Sequence, residues 1–336
     1  MAHVLITGGA GFIGSHLAEA LIERGRHVTV VDDESTGTAD NLAAIRSHPL
    51  FTYVAGSVAE ADLVRRLVAD ADQVYHLAAA VGVELIASNP IRTIETNIYP
   101  TELLLGALRA EHQRGHSIRL FLASTSEVYG KNAKPTWTED DDLVFGPTTR
   151  ARWSYGVSKA VDEFLALAHW REHGLEVVIG RFFNVVGPRQ TGRYGMVLPR
   201  FVDAALAGRP LVVHDDGRQV RCFGHVSDVV EAVLELMQTP SALGRVFNIG
   251  SDQPVSILEL AQQVIAEVDP SLPIEFQSYA EAYSPDFEDI RCRVPDLSRL
   301  RQTIEHRPRY GLGDIIREVI AWKKRRKEEG GRKKEE

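Results

Sequence analysis

The sequence predicts an α/β protein built on a doubly wound parallel sheet, and three observations lead to this fold class. Short apolar runs alternate with longer amphipathic segments through the first half of the 336-residue chain. The first run, 3–7, leads directly into a glycine-rich turn and the start of a helix. The rhythm changes to shorter segments after Gly187-Pro188-Arg189. Because strands that alternate with helices are joined by right-handed crossovers, the first strands should lie parallel in one sheet.

The short apolar runs and the longer amphipathic segments give the predicted order of strands and helices. Apolar, β-branched runs bounded by polar residues indicate buried strands, and apolar residues at helical spacing indicate helices. The predicted strands are 3–7, 27–32, 51–55, 73–77, 118–123 and 176–181. The predicted helices are 12–24, 60–69, 91–113 and 153–173.

Composition and charge limit the classes of function. Hydrophobic residues make up 44% of the chain and charged residues 25%, which is typical of a globular protein with one large core or two. The net charge of -8 argues against a general binder of nucleic acid or of membrane surfaces. Cys222 and Cys292 lack metal-ligand spacing, and the first strand begins at His3 without room for a signal peptide. We therefore expect a cytoplasmic protein with no metal site and no membrane anchor.

The turn after the first strand has the features of a dinucleotide site. Gly8 permits a tight turn, Gly11 lets the backbone approach a pyrophosphate, and Gly14 allows the helix to pack closely on the strand. Asp32 ends the second strand, where a carboxylate accepts hydrogen bonds from the adenosine ribose and repels a 2′-phosphate. No basic residue occurs in 33–36. These features predict a Rossmann-type sheet that binds NAD rather than NADP.

Candidate catalytic residues cluster near the middle of the chain. Tyr155 and Lys159 stand four apart, so a helix would place both on one face. A lysine ammonium beside a tyrosine favours the phenolate and lowers the pKa of the phenol. Thr125 offers a hydroxyl that could hold the substrate oxygen, and Glu127 adds a second titratable group. The pattern predicts oxidation of a sugar alcohol with Tyr155 as the base.

The GxxGxxG turn and the Tyr155-x-x-x-Lys159 motif together resemble the extended short-chain dehydrogenase/reductase family. The resemblance is closest to its NAD-dependent nucleotide-sugar epimerases, dehydratases and decarboxylases, and it covers about residues 2–325. Further matching segments are Leu77-Ala78-Ala79, Asn97, Arg181-Phe182-Phe183-Asn184, Gly187-Pro188-Arg189, 221–228 and 247–250.

The resemblance implies a role for each residue of the site. Lys159 would hold the nicotinamide ribose and lower the pKa of Tyr155. Asn184 and Arg221 would hold the substrate diphosphate, with Ser126 also in contact with the substrate. The family usually has Asp where this chain has Ser57. The residues implied to contact NAD are Gly8, Gly11, Phe12, Ile13, Asp32, Ser57, Val58, Leu77, Ala78, Ala79, Tyr155 and Lys159.

Two motifs indicate which reaction follows the oxidation at C4. The segment 125–129 fits both decarboxylases and dehydratases of the family, and an epimerase would have a small residue in place of Glu127. The sequence Arg152-Trp153-Ser154-Tyr155 resembles the UDP-glucuronate decarboxylases. The first hypothesis is therefore a UDP-glucuronate decarboxylase. The alternatives are a UDP-sugar 4-epimerase, then a sugar-nucleotide 4,6-dehydratase. A non-catalytic NAD-binding protein is disfavoured because Tyr155 and Lys159 are both present.

The predicted organisation has two domains and a tail. Residues 1–185 form the NAD-binding domain, to which some later segments return, and 186–322 mainly form the nucleotide-sugar-binding domain. The charged segment 323–336 is predicted to be disordered. The helices 91–113 and 153–173 carry excess apolar residues and predict a homodimer through a four-helix bundle. The apolar residues in question are Leu103, Leu104, Leu105, Leu108, Val161, Phe164, Leu165 and Leu167.

Overall fold

A seven-stranded parallel sheet forms the centre of the computed structural model, which describes residues 2–80, 90–192, 196–282 and 288–332. The strand order is β11-β6-β5-β4-β1-β2-β3. The strands are β1 (His3–Thr7), β2 (His27–Asp32), β3 (Phe51–Ala55), β4 (Gln73–His76), β5 (Arg119–Thr125), β6 (Val177–Phe182) and β11 (Arg245–Ile249).

Helices cover both faces of this sheet. One face packs on α1 (Phe12–Glu23) and α6 (Val226–Gln238), and its core includes Leu17 and Val229. The other face packs on α2 (Ala61–Ala69), α3 (Pro90–Gln113) and α4 (Ser154–His173). Two apolar layers on opposite faces define a doubly wound sheet, so the predicted fold class is confirmed.

Smaller elements form a second layered unit beside the carboxyl ends of the strands. Its core joins α5, α7 and α10 through residues such as Phe201, Leu260 and Ile315. The short sheets pair β7 with β10, β8 with β13, and β9 with both β12 and β14. The strands are β7 (Val185–Val186), β8 (Leu211–His214), β9 (Val220–Cys222), β10 (Gly224–His225), β12 (Pro254–Ser256), β13 (Ile274–Gln277) and β14 (Cys292–Arg293). The remaining helices are α5 (Val197–Ala205), α7 (Ile257–Val268), α8 (Tyr279–Ala282), α9 (Ser298–Thr303) and α10 (Leu312–Arg332).

The charged C-terminal segment differs from its prediction. Instead of disorder from residue 323, α10 continues to Arg332. The helix begins with a buried apolar stripe, and Lys323 Nζ then donates to Asp203 Oδ1 at 2.6 Å. Lys327 Nζ donates to the Leu206 carbonyl at 3.2 Å. Charge at these positions therefore anchors the helix to α5, which the sequence composition alone did not reveal. Across the described ranges, no helix is both long and apolar enough to span a membrane.

Candidate active site

The glycine turn between β1 and α1 leaves no room for a side chain at two positions. Gly8 has φ +70°, and a Cβ there would lie 2.7 Å from the Ala78 backbone nitrogen. A Cβ on Gly14 would lie 2.4 Å from the Gly8 carbonyl oxygen. Both positions therefore require glycine. The turn also presents the N-terminus of a 12-residue helix to the cleft, which suits a pyrophosphate.

Asp32 lies beside this turn at the carboxyl end of β2. Its Oδ2 accepts a hydrogen bond from the Ala10 N–H at 2.9 Å, and its Oδ1 accepts one from the Glu34 N–H at 2.7 Å. Burial raises the pKa of Asp32, and the two N–H donors oppose that shift. The carboxylate is thus fixed in orientation and fits the hydroxyl groups of a dinucleotide ribose.

One cleft, with a volume of about 1560 Å³, contains all the residues that the sequence singles out for cofactor, substrate or chemistry. It runs along the carboxyl ends of the central strands and across to the second unit. Asn97 lies outside the cleft lining, where its side chain bonds Ala80 N and Ser158 Oγ. The predicted residues that line the cleft are Gly8, Gly11, Phe12, Ile13, Asp32, Ser57, Val58, Leu77, Ala78, Ala79, Thr125, Ser126, Glu127, Tyr155, Lys159, Asn184 and Arg221.

Tyr155 and Lys159 lie on the first turns of α4, and both line the cleft. The Tyr155 hydroxyl is in hydrogen-bond contact with Thr125. Lys159 Nζ instead donates to Asp162 Oδ2 at 2.8 Å. Burial raises the pKa of Tyr155, and the negative charge of Glu127 raises it further. An aspartate one turn along the helix holds the Lys159 ammonium group, and the expected effect of Lys159 on the pKa of Tyr155 stays a prediction.

Glu127 lies between two arginine side chains that come from distant parts of the chain. Its Oε2 is 2.5 Å from Arg152 Nη1, and its Oε1 is 2.7 Å from Arg293 Nη2. Burial alone would raise the pKa of Glu127, but the two guanidinium groups outweigh it and lower the pKa to about 2. The carboxylate is consequently ionised at neutral pH and cannot donate a proton there.

A second ion pair adjoins this cluster. Arg221 Nη2 donates to both Asp289 oxygens, at 3.1 and 3.0 Å, and the Tyr279 hydroxyl donates to Asp289 Oδ2 at 2.5 Å. The register of β14 on β9 places Arg293 beside Arg221. The Tyr279 hydroxyl is neutral. The charge balance of the site therefore depends on its arginines and carboxylates alone.

The combined cluster carries an excess of positive charge. Three guanidinium groups, of Arg152, Arg221 and Arg293, face two carboxylates, which leaves one positive charge unbalanced. Within the described ranges, the buried Nε and Nη2 of Arg152 and the buried Nε of Arg293 have no hydrogen-bond partner. Buried donors of this kind are costly unless a ligand satisfies them. The wall of the cleft is therefore suited to an anionic group.

Sequence reasoning assigned Glu127 and Arg221 to the site, but it missed Arg152, Asp289 and Arg293. Arg293 and Asp289 belong to no local motif. The pairing of β14 with β9 brings Arg293 to the cleft, and Asp289 forms an ion pair with Arg221 there. Arg152 belongs to the segment 152–155, which matches the decarboxylase pattern, but the resemblance gave its side chain no role. The match of that segment to the decarboxylase pattern was the signal that could have given Arg152 a role.

Comparisons with known proteins identify the family of this chain and several similar enzymes. The chain belongs to the family described as GDP-mannose 4,6 dehydratase, whose model matches residues 5–319. It is similar to a UDP-N-acetyl-alpha-D-glucosaminuronate decarboxylase of Bacillus cytotoxicus, with 39% identity over 95% of this chain and 96% of that protein. It is also similar to UDP-glucuronic acid decarboxylase 1 of Arabidopsis thaliana, with 34% identity over 95% of this chain and 69% of that protein.

A solved structure extends the likeness to the whole fold. The structure of UDP-glucuronic acid 4-epimerase from Bacillus cereus, in complex with UDP-glucuronic acid and NAD, superimposes with a TM-score of 0.83. The identity is 26%, and the match covers 96% of this chain and 99% of that one.

Proposed function

We propose that this protein is an NAD-dependent UDP-uronate decarboxylase, which oxidises the sugar at C4 and then releases the C6 carboxyl group as carbon dioxide. The observation that carries the proposal is the unbalanced arginine cluster around Glu127. A uronate has a carboxylate at C6, and guanidinium groups bind carboxylates through charge-assisted hydrogen bonds. The two relatives named as decarboxylases of UDP-linked uronates support the same substrate class.

The glycine turn and Asp32 are the residues that would hold NAD. The N–H groups at the start of α1 suit the pyrophosphate, and the fixed carboxylate of Asp32 suits the adenosine ribose. Bound NAD supplies a hydride acceptor. Leu77, Ala78 and Ala79 follow β4 and line the same side of the cleft.

Tyr155 is the group we assign to accept the proton of the C4 hydroxyl. Its own hydroxyl is in contact with Thr125, which can hold the same substrate oxygen in place. A uronic acid oxidised at C4 is a β-keto acid. When its C5–C6 bond breaks, the electron pair of that bond forms an enolate whose negative oxygen lies at C4. Tyr155 and Thr125 would stabilise that oxygen, because it is the atom from which Tyr155 removed the proton, and the enolate then takes up a proton at C5.

Glu127 contributes as a carboxylate that stays ionised. With a pKa of about 2 it cannot serve as the acid at neutral pH. We assign it the role of holding Arg152 and Arg293 in position, so that their remaining donors face the substrate carboxylate. Asn184 and Arg221 would contact the diphosphate.

A product analysis tests the proposal. The protein is incubated with NAD and either UDP-glucuronate or UDP-N-acetylglucosaminuronate, and the product mass is measured. Loss of carbon dioxide is the expected result. An unchanged mass with inversion at C4 would instead establish the 4-epimerase, which the likeness to an epimerase bound to UDP-glucuronic acid favours as second candidate. Loss of water would indicate a dehydratase.

We also propose that the protein is a homodimer, located in the cytoplasm. Leu104, Leu105 and Leu108, which the sequence analysis assigned to a dimer contact, pack in the core instead. The support comes from apolar residues on the outer faces of α3 and α4, where Ile91 is 72% exposed and Phe164 69% exposed. Sedimentation of a Phe164→Arg variant should show monomers where the unaltered chain shows dimers. A monomeric unaltered chain at micromolar concentration would exclude the dimer.

A further inference from the structure

A buried polar network lies behind the cleft on the side of Lys159. Lys159 Nζ donates to Asp162 Oδ2 at 2.8 Å, and the two side chains are 3% and 0% exposed. The helix α4 brings them together as residues i and i+3. The Thr101 side chain on α3 approaches the Asp162 carboxylate from the neighbouring helix. Asp162 is thus a fully buried anion whose cationic partner lines the cleft.

The network continues to the glycine turn. His76 on β4 bonds Thr101 Oγ1 through Nε2 at 3.2 Å and Thr7 Oγ1 through Nδ1 at 2.7 Å. Thr7 Oγ1 in turn accepts a hydrogen bond from the Ala78 N–H at 3.3 Å. Burial lowers the pKa of His76 to about 3, so the imidazole is neutral. The charges of this network are therefore those of Lys159 and Asp162.

We propose that Asp162 is a positioning residue, which holds the Lys159 ammonium in the resting enzyme and sets the net charge where Tyr155 and NAD act. The inference rests on the NAD-dependent function proposed above. It goes beyond that function because it assigns a role to a residue that does not line the cleft. Without Asp162, the ammonium would be free to approach Tyr155 and the cofactor as their counter-ion.

The other carboxylates near the pair already have basic partners. Glu127, across the cleft, is paired with Arg152 and Arg293. Glu163, next to Asp162 on α4, is paired with Arg181 on β6 at 2.7 Å. Removing the Asp162 charge should therefore change the local balance by one full unit with no other group to compensate.

Two consequences follow from the loss of that negative charge. Tyr155 should lose its proton at lower pH. Burial and the charge of Glu127 are the larger causes that raise the pKa of Tyr155, and the charge of Asp162 acts in the same direction. Its removal should therefore lower that pKa. The site should also become less favourable for the positively charged ring of oxidised NAD than for the neutral ring of NADH.

The test compares Asp162→Asn with Asp62→Asn, a matched control. Asp62 is also paired with a basic residue three positions away, Arg65, but on an exposed face of α2. Dissociation constants for NAD and NADH are measured calorimetrically on the protein without substrate. We expect the ratio of the NAD constant to the NADH constant to rise about tenfold in Asp162→Asn, as a shift of one charge at close range predicts. The control should leave the ratio unchanged.

A pH profile gives the second readout. The acidic limb of kcat/KM should move about one unit toward lower pH in Asp162→Asn. If both dinucleotides weaken equally and the limb stays in place, Asp162 is merely structural and the inference is wrong. If the unaltered protein binds neither dinucleotide, the proposed function fails together with the inference. Should the asparagine variant not fold, Asp162→Ser removes the same charge and is measured in its place.

Discussion

The two buried ionic groups on either side of Tyr155 differ in their charge balance. Lys159 and Asp162 form a pair in which each charge has one partner, and the carboxylate is closed off from the cleft. Around Glu127, the guanidinium groups outnumber the carboxylates, and several donors have no partner among the described residues. A balanced pair holds a side chain in place, whereas an unbalanced cluster is completed by a ligand.

The largest effect should come from the group that lies between the two. Tyr155→Phe removes the proton acceptor and keeps the ring, so we expect kcat to fall by about a thousandfold. The affinity for NAD should stay within about threefold of the original, as measured by calorimetry. Tyr99→Phe makes the same change at a half-exposed position on α3 and should have no effect. Substantial turnover by the Tyr155 variant would show that another group accepts the proton.

Glu127→Gln tests the unbalanced cluster from its anionic side. The variant should still form NADH from substrate, since oxidation depends on Tyr155, but it should stall before product. A loss of about a hundredfold in product formation is expected, because Arg152 and Arg293 would lose the carboxylate that positions them. Rapid-quench analysis with absorbance of NADH separates the two steps. Normal turnover would make Glu127 structural and favour the 4-epimerase.

Arg152→Met tests the same cluster from its cationic side. A thioether keeps much of the buried volume and removes the charge that we assign to the substrate carboxylate. The affinity for UDP-glucuronate should fall by about 10- to 100-fold, and the affinity for UDP-glucose, which has no carboxylate, should change far less. Equal losses for both ligands would contradict the assignment. Arg65→Met on exposed α2 provides the control.

The smallest effect concerns stability in acid, where the two carboxylates should act with opposite signs. The pKa of Glu127 is lowered from 4.5 to about 2, so its stabilising contribution is present above pH 4.5 and is lost as the pH falls toward 2. The pKa of Asp162 is raised by burial, so protonation in acid favours the folded state at that position.

Urea unfolding at pH 7 and at pH 3 measures this difference. Glu127→Gln should lose less stability between the two pH values than the unaltered protein, by on the order of 2 kcal/mol. Asp162→Asn should lose more. The same pH dependence in both variants would mean that neither carboxylate has a shifted pKa in the folded state.

The parts of the molecule that depend on local spacing could be predicted from the sequence. The glycine turn, Asp32 and the Tyr155-Lys159 spacing each depend on one strand or one helix and its neighbours, and all of them line the cleft. The hydrogen bond between Lys159 and Asp162 lies within a single helix turn as well. That Asp162 holds the ammonium group could not be predicted, because the contact depends on the burial of both side chains.

The arginine cluster could not be predicted because it depends on long-range pairing. Arg293 reaches Glu127 through the pairing of β14 with β9. These strands have only two and three residues, and no local sequence pattern predicts strands that short. The helical end of the chain was missed for a related reason. The segment is rich in charge, but Lys323 and Lys327 find acceptors on α5 only after the second unit has folded.

The position of β11 has a consequence for how the chain is made. This edge strand pairs with β6 on the central sheet, yet it is synthesised after much of the second unit, and α6, which covers the same sheet, also comes late. When residues 1–185 have emerged from the ribosome, β6 therefore presents an apolar strand with an unpaired edge. Until residue 249 has been synthesised, the exposed edge of β6 can pair with strands of other chains, and the nascent protein must avoid such pairing. We expect the two units to mature together rather than in sequence.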